Sequence, residues 1–145
     1  MRILFVVQRY GDGVVGGAER YVADLATGLA AEGHAISVLT SCATSYETWA
    51  DVFAPGRSVE HGVHVHRLPV RAPRDNARFL PLHLRAADPH AVPLWPWAQD
   101  RWSQLMGPDL VGAEAALREL VPTVDATVFV GYHYAPTLRL VRTAA

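Results

Sequence analysis

A glycine pair and a histidine hold most of the chemistry open to this chain of 145 residues. Gly16-Gly17 stands directly ahead of a helical pattern with Ala18, Val22, Leu25 and Leu29 on one stripe. Glycine at a helix start lets unpaired backbone N–H groups, at the positive end of the helix dipole, approach a phosphate. A tight turn packing helix against strand would use the same two residues. His133 follows an apolar run, Ala126–Val130, and stands between Tyr132 and Tyr134. Its imidazole could hydrogen-bond a substrate or simply sit in a surface loop. A third group, His61, His64 and His66, would place two imidazoles on one side of a strand, a geometry that could hold a metal. No third ligand stands beside them and Arg67 is adjacent, so exposed strand histidines and no metal are expected. No Ser-His-Asp or Cys-His set suggests a hydrolase.

The elements that position these residues can be read from periodicity. Ile3–Val7 is a short uninterrupted apolar run, as in a parallel strand covered on both faces. The helix after Gly17 ends at Gly33, and Ala35–Thr40 forms the next strand. Ser41–Glu60 reads as mixed and turn-rich, with a turn at Pro55-Gly56. Gly62–Val70 alternates as a half-buried strand. Arg71–Pro96 is dense in proline and reads as a long connection with at most short helical pieces. Helices are expected over Trp97–Met106 and Leu110–Leu120, a buried strand over Ala126–Val130, and a further helix from Thr137. Trp95, Trp97 and Trp102 could bind a lipid tail or stack on a sugar, but core packing is the expectation. Four strands alternating with helices predict an α/β fold: a Rossmann-like, doubly wound parallel sheet in three layers. Both the glycine pair and His133 then fall at the carboxyl edge of that sheet, where open α/β sheets put their ligands.

Composition narrows the classes. Half of the residues are hydrophobic and 19% are charged, ordinary values for a globular domain. Thirteen basic residues face fourteen acidic ones, so bulk charge gives no argument for a nucleic-acid partner. Cys42 is the only cysteine, which excludes an intrachain disulfide and makes a cytoplasmic location the expectation. No apolar run approaches a membrane span, and peripheral membrane contact stays open.

Gly11-Asp12-Gly13-Val14-Val15-Gly16 matches the dinucleotide fingerprint G-x-G-x-x-G. Its context is wrong. Gln8, Arg9 and Tyr10 separate it from the strand, and the second strand runs into Thr40-Ser41-Cys42 without the acid that would hold a ribose. An NAD(P)-binding oxidoreductase or epimerase therefore stands as the alternative, beside a non-catalytic module that binds a sugar nucleotide or a partner.

The ordered set of Gly16-Gly17-Ala18-Glu19-Arg20, the following helix, Glu32-Gly33-His34 and the strand Ala35–Thr40 resembles the start of a family-4 glycosyltransferase. Trp102–Pro108 resembles the Trp…Gly-Pro helix end of many members, and Val128–Thr137 resembles the strand and loop that follow. The resemblance implies the N-terminal, acceptor-side half of a GT-B enzyme, incomplete in this chain, with a C-terminal donor-binding domain absent. It implies a retaining transfer from a nucleotide-diphosphate sugar to a hydroxyl of a carbohydrate or lipid-linked acceptor, in glycan biosynthesis. On this resemblance Gly16 and Gly17 contact the donor diphosphate, His133 lines the catalytic cleft, and Tyr132 and Tyr134 lie on the acceptor side. No cofactor is implied beyond the nucleotide sugar as co-substrate. The chain lacks the Asp-x-Asp pair that marks the metal-dependent fold of other glycosyltransferases, so no metal is expected. A chain of this kind is expected to be inactive alone.

Overall fold

The computed structural model describes residues 1–144. It has five strands: β1 (Arg2–Val6), β2 (Ala35–Ser41), β3 (Gly56–Glu60), β4 (Val63–Leu68) and β5 (Ala126–Phe129). Its helices are α1 (Gly17–Ala31), α2 (Asn76–Ala87), α3 (Pro96–Met106), α4 (Ala113–Leu120) and α5 (Ala135–Leu140), with short 3-10 turns at Val121–Thr123 and Val141–Thr143. The strands form one sheet in the order β3-β4-β2-β1-β5, parallel except for β3.

Alternation along β1 explains the layering. Phe5 and Val7 pack with Ile36, Val38, Val63 and Val65 against Val22 and Ala26 of α1. Leu4 and Val6 face the other way, onto Leu110, Ala113, Leu117 and Leu120. Both faces of the central strand are buried, which is why Ile3–Val7 reads as an unbroken apolar run. The expected α/β, three-layer, doubly wound sheet is the fold observed.

Two elements depart from the sequence reading. β3 lies within the stretch expected to be turn-rich; it pairs antiparallel with β4, Glu60 opposite Val63. The two residues between them, His61 and Gly62, both have positive φ (51° and 82°), the geometry of a tight two-residue hairpin turn. His61 is thus a turn residue, not a strand residue. The second departure is α2, twelve residues long, within the expected Pro-rich connection. Asp75 caps it by accepting from the backbone N–H of Arg78 at 3.1 Å, and Pro81 sits inside it.

Topology matters most for function. The chain runs β1, β2, β4 outward in one direction, then returns to place β5 on the other side of β1. The loops leaving β1 and β5 therefore diverge from adjacent strands at the point where strand order reverses. Such a switch point opens a crevice at the carboxyl ends of the strands.

Candidate functional site

The loop from Val7 to Gly16 is held from below by a buried ion pair. Arg9 donates from Nε and Nη2 to Oε1 of Glu19, at 3.0 and 2.8 Å, and both side chains are about 95% buried. Arg9 also donates to the carbonyl of Thr44 at 2.9 Å and lies 5.2 Å from the Tyr46 ring centre. Glu19 is an acid in the first turn of α1, but its carboxylate is spent inward on Arg9. Arg20, its neighbour, is solvent-exposed and pairs with Asp24 one turn on.

This pair gives the two glycines different jobs. A Cβ on Gly16 would lie 2.1 Å from Glu19 Oε2 and 3.0 Å from Arg9 Nη2, so the absence of a side chain there is a packing requirement. A Cβ on Gly17 would meet nothing within 4 Å. Gly17 opens α1, whose N-terminus carries no side-chain cap, and its surroundings are free. The packing constraint therefore falls on Gly16, while the space beside Gly17 is open.

Across the crevice, Gln8 is fully buried and donates from Nε2 to the carbonyl of Val130 at 2.5 Å. Gly131, with φ of 84°, passes so close that a Cβ would come within 2.5 Å of that amide. The turn aims His133 and Tyr134 into a hollow of about 470 Å³ that Tyr46, Arg74, Phe79, His83 and Met106 also line. His133 reaches an adjoining hollow of about 910 Å³ as well, together with His83, Trp102 and Tyr132. Tyr132 is 82% exposed on its rim. Burial, and secondarily the neighbouring His83, hold the His133 imidazole below its usual value near 6.5. Burial pushes the Tyr134 hydroxyl up, despite the nearby Arg9 and Arg74. Neither Gly16 nor Gly17 lines these hollows; Tyr134 lies between, in the field of Glu19 and Arg9.

With this edge described, the comparison with known families decides what it belongs to. The model of Glycosyltransferase Family 4 matches residues 15–135, from the glycine pair to the loop after β5. The chain belongs to glycosyltransferase family 4. No curated protein and no solved structure shows a significant match to it.

Within this family-4 domain the tryptophans require a correction. Trp95 and Trp97 are 68% and 72% exposed, so neither is core; they flank the start of α3 and face solvent. Trp102 is half-buried, its indole N–H donating to His83 Nδ1 at 3.3 Å. Of the three clustered histidines, His64 is exposed on β4 and His66 half-buried beside it. Among the described residues no group of three His, Cys, Asp or Glu side chains could hold a metal, and no helix is long and apolar enough to cross a membrane. Sequence reasoning missed Arg9, Arg74 and His83. Arg9 gave a faint signal as a charge wedged between a buried strand and a glycine loop. Arg74 and His83 lie in the segment read as irregular; Arg74 just precedes α2 and His83 lies on it.

Proposed function

We propose that this glycosyltransferase domain is the acceptor-side half of a retaining enzyme. It takes a sugar from a nucleotide-diphosphate donor and passes it to an acceptor hydroxyl. What carries the reading is the coincidence of the family match with the switch point. The unhindered start of α1 at Gly17 and the His133-Tyr134 turn follow the adjacent strands β1 and β5 at the same edge of the sheet. Backbone N–H groups of Gly17 and Ala18 at an uncapped helix start suit a departing diphosphate. Stabilising charge that develops on a leaving group is the largest service such a site gives. His133, mostly neutral near pH 7 because burial lowers its pKa, hydrogen-bonds the transferred sugar or the attacking hydroxyl. Tyr134 and Tyr132 flank the acceptor path, Tyr134 in the hollow and Tyr132 at the rim of its neighbour. In this scheme the leaving phosphate assists removal of the acceptor proton, and no metal or redox cofactor is required.

The test is turnover of the two-domain enzyme carrying His133→Ala. Loss of one preorganised hydrogen bond in the transition state costs about 2.7–4 kcal/mol, a fall of roughly 100- to 1,000-fold. Donor affinity should change little. Tyr132→Phe and Tyr134→Phe serve as controls for a one-residue shift of the role along the loop. Normal turnover in all three variants would remove the β5 loop from the reaction.

A further inference from the structure

Three arginines are at least partly withdrawn from solvent: Arg9 and Arg67 are buried and Arg74 is half-buried. Arg9 has Glu19 and Arg67 has Glu60. Arg74 has no carboxylate within ion-pair distance among the described residues. It sits 4.3 Å from the Phe79 ring centre and 5.4 Å from that of Trp49, and donates from Nη2 to the Met106 carbonyl at 2.8 Å. Its Nε is buried without a partner. Aromatic faces offset part of the cost of desolvating a guanidinium, but they leave its charge unneutralised. Glu47 lines the same hollow but forms no ion pair with Arg74.

His83 stands on the same wall. An indole N–H can only donate, so the contact from Trp102 requires a lone pair on His83 Nδ1 and puts the ring proton on Nε2. The ring is clamped in that orientation by Phe79, stacked at 4.8 Å, and by the parallel Trp102 ring at 6.2 Å. A fixed N–H donor and an unpaired guanidinium thus share one hollow of about 470 Å³ with His133. The hollow around Arg71 and Arg139 makes the contrast, because Asp109 already pairs with both at 2.9 and 3.4 Å.

We propose that the Arg74–His83–His133 hollow holds an anionic group of the acceptor, a phosphate or a carboxylate, and so selects acidic acceptors. The inference rests on the reading of this edge as the acceptor side, and it assigns the site a ligand class which that reading leaves open. Arg74 supplies the charge and paired donors, and His83 a donor whose tautomer Trp102 sets.

Histidine ring resonances of the whole chain, titrated with inorganic phosphate, read this site without requiring sugar transfer. Saturable shifts are expected at His83 and His133, with none at the half-buried His34 or the exposed His61 and His64. Arg74→Gln and His83→Gln should each weaken binding by about ten-fold or more, while Arg74→Lys, which keeps the charge but not the paired donors, falls between Arg74→Gln and the unaltered chain. Should Arg74→Gln fail to fold, His83→Gln decides alone. Unsaturated or uniform shifts, or unchanged binding in the folded Gln variants, would overturn the proposal. Glucose 1-phosphate and bicelles containing phosphatidic acid separate a soluble from a lipid-borne phosphate; tighter binding of either names the source. If uridine diphosphate moves His83 and His133 at lower concentration than any of these, the anion is the donor's and the acceptor assignment fails. The proposal for His133 in turnover stands or falls separately, by its own variant.

Discussion

At the scale of residues, Gly16 and Gly17 differ in the space around them. Gly16 is required by packing, because any side chain would strike the carboxylate that holds Arg9. Gly16→Ala is expected to cost about 1–3 kcal/mol, the range for overpacking a well-filled site, and to show as a lower melting temperature. Gly17→Ala has free space and a helical position, so stability should hold or rise by up to about 1 kcal/mol. Its effect should fall instead on the affinity for a nucleoside diphosphate, because a methyl group then stands where phosphate oxygens must approach the backbone. Calorimetric melts and binding isotherms of both variants separate the two roles. A Gly17→Ala protein that melted early and bound normally would reverse them. Nothing in the sequence distinguishes these adjacent glycines. The distinction depends on where the Glu19 side chain turns, and that is set by Arg9, ten residues away.

Elements with strong internal periodicity were legible, while those defined by partners were not. β1, α1 and β2 declare themselves through an apolar run, a 3.6-residue stripe and a stop glycine. β3 does not, because Arg57, Ser58 and Val59 are exposed at the sheet edge and carry no apolar alternation. Its signal was the short His61-Gly62 turn, which mimics the usual Asn-Gly hairpin only in backbone conformation. α2 hid behind Pro81, which removes one backbone bond from a helix whose single fully buried residue is Phe79. The candidate site was legible to the same degree: strand ends placed the glycine pair and His133 at one edge, but Arg74 just ahead of α2 and His83 on it come from the segment without periodicity. The β3–β4 hairpin is fastened by Glu60 to Arg67, which also donates to the Tyr10 carbonyl at 3.0 Å under the glycine loop. The Arg67 guanidinium holds the Glu60 carboxyl below its ordinary value near 4.5. The folded state therefore binds that proton less readily than the unfolded chain, and the stabilisation is present above about pH 4.5 and lost as pH falls below it. His66 and His133, both held low chiefly by burial, act in the same direction from about pH 6.5 downward. Melting temperature should therefore fall on acidification in two stages. Glu60→Gln should lower stability at pH 7 by about 1–3 kcal/mol and flatten the more acidic stage. An unchanged acid profile in that variant would show that the hairpin ion pair carries no part of it.

For the whole molecule, function follows from strand order. Because β5 returns to the far side of β1, the glycine loop and the His133 turn lie at one edge of the sheet, although more than a hundred residues of chain separate them. A dinucleotide enzyme would use the same topology differently, with pyrophosphate against Gly11–Gly16 and an acid on the ribose. Here a side chain at Gly11 would meet Arg67 Nη2 at 2.7 Å, so packing alone accounts for that glycine, and β2 runs into Cys42 without an acid. The most direct measurement is a backbone amide titration of the chain with uridine, guanosine and adenosine diphosphates, with NAD and NADP alongside. Saturable shifts at Gly17 and Ala18 with at least one nucleoside diphosphate, and none there with the dinucleotides, are expected. Binding of NAD or NADP through Gly11–Gly16, or no response at the start of α1 to any diphosphate, would contradict a sugar-transfer site at this crevice.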